Sequence, residues 1–151
     1  MRPDDSHRLT ILSAEEIDDL YRVPQFTEED RQLFFDFSPP EIAALGTHKT
    51  SVAAYLALEL GYFKAKQQFF TFEQNEVAAD LRYILHRYFH GKNIAWIKPP
   101  SRPRRILSQQ TILQLFNFRQ CDKALRSELE QKARRVATLS THPLFIMREL
   151  L

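Results

Sequence analysis

The sequence predicts an all-α fold, a multi-helix bundle of about seven to eight helices with one or two helix-turn-helix-like units. Glycine is scarce, at 3 of 151 residues, which argues against a turn-rich sheet protein. Apolar residues recur at three- and four-residue intervals, the period of a helix with one buried side. Three helix-capping sequences fall at residues 13–16, 27–30 and 38–41. With 44% hydrophobic residues, the chain can also bury a core.

The first three helices are predicted from these caps, in which a hydroxyl accepts an unpaired backbone N–H and a carboxylate three residues later reaches back. Pro24 is expected to end the first helix, and Gly46 to end the third in the left-handed conformation. The predicted order is a helix over 14–22, a second beginning after Thr27, and a short third one from Pro39 to Gly46.

A fourth helix is predicted over 48–62 and a fifth over 73–90, closed by Gly91. The aromatic run 69–72 between them fits either a short extended segment or a hydrophobic wedge between two helices, and we favour the wedge.

Residues 92–105 hold three prolines and five basic residues, which predicts an extended basic connector. It would join an N-terminal helical subdomain, 1–91, to a C-terminal helix-turn-helix-like subdomain, 106–151. The latter would contain a helix from Ser108 or a neighbour through Phe116, a turn at 117–119, a helix over 121–138 and a last helix from 141 onward. The buried side of the 121–138 helix is expected to hold Cys121, Leu125, Leu129, Ala133 and Val136. The last helix stops within an apolar stretch, so we expect the chain to be truncated from a longer one.

The net charge of +2 conceals two halves of opposite sign. Residues 1–90 carry 9 basic and 15 acidic residues, or −6, whereas residues 91–151 carry 12 and 4, or +8. A polyanion would therefore favour the second half, although both halves could be plain solvated surfaces. One cysteine and no secretory segment indicate a cytoplasmic protein. The longest apolar stretch, 52–63, is too short to span a membrane, so no membrane partner is expected.

Enzyme signatures are missing from the sequence: it has no glycine-rich phosphate loop, HExxH, CxxC or serine elbow. We therefore expect no catalytic residues and no cofactor. His86 and His90 have the i, i+4 spacing of metal ligands, but no further ligand accompanies them, and we interpret them as a surface pair rather than a metal site.

Two stretches have the form of a helix-turn-helix, whose second helix enters the major groove of DNA. In the first, 41–58, Gly46 lies in the turn and Val52 at the core position, but Ile42 occupies a position that usually needs a small residue, so a plain helical hairpin fits equally well. The second, 109–137, turns at 117–119, and its basic residues could contact bases and phosphates. The arginines just upstream resemble the basic arms that lie in a minor groove, although a basic linker and a solvated helix face remain possible. The predicted DNA-binding residues are His48, Lys49, Ser51, Arg102, Arg104, Arg105, Gln109, Gln110, Arg119, Gln120, Lys123 and Arg126.

From Leu12 onward, the order of segments LSAEEIDDLYRVPQFTEEDRQLFFDFSPPEIAAL, HKTSVAAYLALELGYFK and RRILSQQTILQLFNFRQCD resembles the N-terminus of the Tn-three family of bacterial replicative transposases. Two departures stand out. The arginine-rich run that precedes the long helix in that family is reduced to His48 and Lys49, and the turn glycine of the later motif is Asn117, which tolerates a left-handed φ.

The resemblance implies a longer parent transposase, whose N-terminal region binds double-stranded DNA at the terminal inverted repeats of a mobile element. A distant ribonuclease-H-like domain, which is not in these residues, would catalyse DNA recombination during transposition. The expected partners are the transposon ends, the remainder of the transposase chain and, in self-association, a second copy. The alternative is a helical protein-protein interaction or oligomerisation module, which the acidic first half and the 12 phenylalanines favour.

Overall fold

The fold is all-α, as the sequence predicts. The computed structural model describes residues 11–139 and 142–150, and within them it contains eight α-helices, one 3₁₀ turn and no strand. No helix in this part of the chain combines the length and apolar character needed to cross a bilayer. The elements are α1 (Ala14–Tyr21), α2 (Glu28–Phe34), α3 (Pro39–Gly46), α4 (Thr50–Lys66), α5 (Ala78–Tyr88), the 3₁₀ turn (Ile94–Trp96), α6 (Arg102–Leu115), α7 (Lys123–Ala137) and α8 (Pro143–Leu150).

The predicted caps begin the first helices. At α1, the Ser13 N–H donates to Glu16 Oε2 at 2.8 Å and the Glu16 N–H donates to Ser13 Oγ at 3.1 Å. Thr27 and Asp30 exchange the same pair of bonds at α2, at 2.9 and 3.2 Å. Such caps stabilise a helix by about 1 kcal/mol, and they depend only on neighbouring residues.

The two predicted glycine stops differ in outcome. Gly91 has a φ of +66°, and its N–H donates to Leu85 O at 3.0 Å, closing α5 with a left-handed residue as predicted. The prediction for Gly46 is wrong, because Gly46 is the last residue of α3 and has no positive φ. The chain leaves α3 through Thr47 in the right-handed region, with its Oγ1 donating to Ala44 O at 2.9 Å, so no left-handed residue is needed there.

The chain divides into two compact units, which we call the core unit, Arg22–Arg119, and the terminal unit, Met1–Tyr21 with Gln120–Leu151. This division differs from the predicted boundary at 92–105. Because α6 packs against α3 and α4, it belongs with the helices that precede it.

Helix α4 forms the centre of the core unit, with α2, α3, α5 and α6 packed around it. Every residue from Ala53 to Phe63 is buried, as expected for a helix that is apolar on all sides. Gly61 provides the space for one close crossing: a Cβ at this position would collide with Cε1 of Phe35, whose ring is fully buried. Residue 61 must therefore lack a side chain for Phe35 to occupy its site.

The aromatic run after α4 is a wedge and contains no strand, as predicted. Phe70 is buried, the Phe69 ring stacks on Phe63 at 5.1 Å, and the Phe72 ring meets Tyr62 edge-on at 6.0 Å between centroids. These rings fill the space between α4 and the following helix, so α5 begins at Ala78 rather than at 73.

A buried carboxylate links three helices of the core unit. Asp80 on α5 accepts from Arg31 Nε of α2 at 2.7 Å and from the Tyr62 hydroxyl of α4 at 2.5 Å. Burial raises the pKa of Tyr62, which keeps its hydroxyl a neutral donor. The Arg31 guanidinium balances the charge of the buried Asp80 carboxylate, and the Tyr62 hydroxyl satisfies its second oxygen.

The prediction of an extended connector over all of 92–105 is wrong for its last four residues. Helix α6 begins at Arg102, well before the predicted start near Ser108. Pro103 lies in the first turn of α6, where a backbone N–H has no partner within the helix, so the proline ring is compatible with helix at that position.

In the terminal unit, α7 packs against α8. Val136 is buried, as predicted, whereas Leu125, Leu129 and Ala133 are only half-buried. Cys121 is exposed, however, so its predicted burial is wrong. The reason is that α7 begins only at Lys123, after Asp122 accepts a hydrogen bond from the Leu125 N–H at 2.8 Å.

Candidate functional site

The first predicted helix-turn-helix corresponds to α3, a three-residue turn at 47–49, and α4. The turn has the required length, but a reading helix must expose a side along several turns, and α4 is buried on all sides from Ala53 onward. The first turn of α4 is also partly covered, since Ser51 Oγ accepts from the Lys98 N–H at 3.3 Å. Lys49 is exposed and His48 half-buried. The α3–α4 pair is therefore a helical hairpin within the core.

The second predicted helix-turn-helix would combine α6 and α7. These helices belong to different compact units, and residues 116–122 between them form a longer link than the three or four residues typical of the motif. Asn117 has the left-handed φ predicted for it, at +55°. The turn prediction is confirmed at that residue, but α6 and α7 are not paired within one unit.

The basic start of α6 divides into two kinds of residue. Arg102 and Arg104 are exposed. Arg105 is only half-exposed, and its charge acts on Glu59, a carboxyl of α4 that is 5% exposed. Gln109, one turn further along, forms a side-chain hydrogen bond with the same carboxyl.

Burial raises the pKa of Glu59 to about 7, while Arg105 and Gln109 act in the opposite direction. The predicted display of Arg105 on an extended arm is therefore wrong, because Arg105 is on α6 and faces a buried acid of α4. Gln109 lies on α6, in the helix predicted for it, and faces the same acid.

Helix α7 presents a basic side to solvent. At 100° per residue, Lys123, Arg126 and Arg134 lie within about 80° of one another, and Glu130 falls in the same arc. Lys123 is about 160° from Leu125, whereas Arg126 is only about 60° from Leu129, so the basic side borders the apolar side. All three basic side chains are exposed, and Arg134 pairs with Glu130 at 3.2 Å. Two of the predicted DNA-binding residues, Lys123 and Arg126, are thus brought together on one exposed surface.

The other predicted residues are exposed. Gln110 lies on α6, and Arg119 and Gln120 lie between α6 and α7, at the boundary of the two units.

Sequence reasoning missed a cationic groove in the core unit. It lies between α5 and the 3₁₀ turn, and its lining includes Arg82, His86 and Lys92. The spacing of Arg82 and His86, four residues apart on a predicted helix, could have indicated it. The third contributor, Lys92, follows the helix and is brought to the groove only by the fold.

Among residues 11–139 and 142–150, no three histidine, cysteine, aspartate or glutamate side chains are grouped as metal ligands would be. His90 lies beyond the end of α5 with a φ of +54°, so it does not continue the helix face that carries His86.

The fold and these surfaces define a class: an all-helical domain with cationic side chains exposed on α5, α6 and α7. Residues 11–151 match the model of a family described as a domain of unknown function, DUF4158, and the chain belongs to that family. No curated protein and no solved structure matches the chain.

Proposed function

We propose that this chain is a DNA-binding region of a Tn-three-type transposase, which recognises the terminal inverted repeats of a mobile element and leaves catalysis to another part of the protein. The observation that carries the proposal is the exposed basic side of α7, with Lys123 and Arg126 close together. The sequence resemblance to the N-terminus of those transposases supports the same function. Binding to transposon DNA in a bacterium would also require a cytoplasmic location.

The side chains on α7 suit both parts of DNA recognition. Arginine can form two hydrogen bonds with a guanine edge, whereas lysine neutralises phosphate. The apolar residues Leu125, Leu129 and Val136 are buried or half-buried, while Lys123 and Arg126 remain exposed. In this proposal α7 lies against the double helix and reads bases through Arg126.

The test is binding of the chain to duplex oligonucleotides, measured by fluorescence anisotropy. One duplex carries the inverted repeat that flanks the gene, and the other is a scrambled duplex of the same composition. We expect tighter binding to the repeat, and a steep loss of affinity between about 50 and 200 mM salt, because bound cations release counterions from the phosphates. Equal affinity for both duplexes at both salt concentrations would contradict sequence-specific recognition.

A matched pair of variants locates the contact. Lys123→Gln with Arg126→Gln should reduce the preference for the repeat by roughly tenfold, in line with about 1–3 kcal/mol for one good base contact. Lys132→Gln with Arg135→Gln removes the same charge from a different side of α7 and should leave the preference unchanged. If the control pair lowers the preference equally, α7 does not read DNA through the assigned side.

A second candidate function, a protein-interaction module, is favoured by exposed apolar residues in the terminal unit. Ile17 is 45% exposed, Phe145 39% and Leu139 78%. Such residues could be covered by another part of the transposase or by a second copy. Light scattering on the chain without DNA distinguishes the two functions, since self-association in the absence of DNA affinity would favour this module.

A further inference from the structure

A groove of about 340 Å³ lies between α5 and the 3₁₀ turn of the core unit. Four of its six lining residues carry side-chain nitrogen, and none is acidic. The lining residues are Arg82, His86, Gly91, Lys92, Asn93 and Ile94. A groove lined by cationic side chains without a carboxylate concentrates anions.

The nitrogen-bearing side chains of the groove come from α5 and from the segment that follows it. Arg82 and His86 are four residues apart on α5, so their side chains lie on the same face of the helix. The Lys92 ammonium donates to Thr50 Oγ1 of α4 at 3.0 Å, which fixes the lysine without neutralising it. Lys92 is thus anchored at the groove, and the helical spacing of Arg82 and His86 places both side chains along its other wall.

Trp96 lies two residues beyond the groove lining, in the 3₁₀ turn, and is 79% exposed. The backbone around it is anchored: Ile97 is buried, and Gln74 Nε2 donates to Ile97 O at 3.1 Å. The Lys98 N–H donates to Ser51 Oγ at 3.3 Å on the other side. A large aromatic ring is thus held in solvent on an anchored turn, and the same turn contributes Ile94 to the groove lining.

We infer that the groove and Trp96 together form a nucleic-acid contact, in which Arg82, His86 and Lys92 bind backbone phosphates and the indole ring packs against a sugar or an accessible base. Aromatic rings beside basic side chains are a recurrent way to bind nucleic acid, because every nucleotide offers both an anion and an apolar face. That the nucleic acid is DNA rests on the proposed function. The contact lies in the core unit and is separate from the residues of α7.

Trp96 can serve as an intrinsic fluorescence probe of this contact, because it is the one tryptophan of the sequence. The chain is titrated with duplex DNA that carries a dye whose absorption does not overlap tryptophan emission. The anisotropy of the dye and the tryptophan emission are recorded together. We expect the emission to be quenched along the same binding curve as the anisotropy. A rise in anisotropy with unchanged emission would overturn this inference and leave the proposed function intact, whereas no rise in anisotropy would overturn the proposed function itself.

A charge-matched pair of variants tests the groove. Lys92→Gln should weaken binding by roughly three- to tenfold and lower the salt slope by about one, the contribution of one phosphate contact. Lys66→Gln removes one charge at the other end of α4, about 24 Å from Thr50, and should change neither. Equal effects of the two variants would show a general charge effect and contradict a phosphate site in the groove.

A third titration separates DNA from a small phosphate ligand. Inorganic phosphate is compared with chloride at equal ionic strength, and we expect no quenching of Trp96 by either. Quenching by inorganic phosphate equal to that by DNA would assign the groove to a small anion and overturn the nucleic-acid contact.

Discussion

The core unit and the terminal unit are both helical, but they differ in how much they bury. In the core unit every residue of α4 from Ala53 to Phe63 is buried, whereas Val136 is the one buried residue in the described part of the terminal unit. Since burial of apolar surface is the main source of stability, the core unit should hold most of the unfolding free energy. Each unit exposes six large apolar side chains, but the terminal unit does so within 40 described residues and the core unit within 98, so the terminal unit has more to gain from a partner.

The largest expected effect tests this difference directly. Leu58→Ala in the core unit should lower the unfolding free energy by about 2–5 kcal/mol, because Leu58 is fully buried and its loss leaves a cavity. Leu129→Ala on half-buried α7 should cost less than about 1.5 kcal/mol, since solvent already reaches that side chain. Urea denaturation followed by circular dichroism measures both, and equal losses would contradict the contrast between the units.

A smaller effect is expected from Glu59, whose burial makes the core unit depend on pH. Its pKa is about 7 in the folded chain against 4.5 for an unperturbed glutamate, so the folded state binds more protons between these values. The contribution of Glu59 to the unfolding free energy is therefore fully present below about pH 4.5 and is lost as the pH rises through 7. The total loss is at most about 3 kcal/mol. Thermal unfolding at pH 5 and pH 8 should show this decline, and Glu59→Gln should remove most of it.

The control for that experiment is Glu130→Gln in the terminal unit, where the carboxylate is exposed. It should leave the pH dependence as it is. If Glu59→Gln keeps the full decline between pH 5 and pH 8, then a different group is responsible.

The smallest expected effect concerns a helix cap. Asp122→Ala removes the acceptor for the Leu125 N–H and should destabilise α7 by about 1 kcal/mol. Because the terminal unit is little buried, the loss should be local. Hydrogen exchange should become faster in the first turn of α7 and remain unchanged in α4, and faster exchange in α4 would show that the two units unfold together.

The parts of the fold that the sequence predicts well depend on short-range interactions. Ser13 with Glu16 and Thr27 with Asp30 are complete within four residues, so the starts of α1 and α2 could be identified before any packing was known. The predicted burial of Cys121 is wrong because it extends the apolar period of α7 to a residue that lies two positions before the helix begins.

The candidate site was harder to predict because it depends on contacts between distant residues. Nothing local shows that Arg105 faces Glu59, 46 positions earlier, rather than solvent. In the same way, three prolines near Arg102 suggested an extended chain, although the packing of α6 on α4 favours a helix that accommodates Pro103 in its first turn. The helical periodicity of α4 identified a helix but could not show that all its sides would be covered.

The contact between Gly61 and Phe35 restricts how related sequences can vary. A methyl group at position 61 would occupy the site of the Phe35 ring, so the two positions share one volume. A homologue with alanine or a larger residue at 61 would need a smaller side chain at 35, and one that retains phenylalanine at 35 would need glycine at 61. Correlated change at this pair would therefore be an evolutionary signature of the same helix crossing in other members of the family.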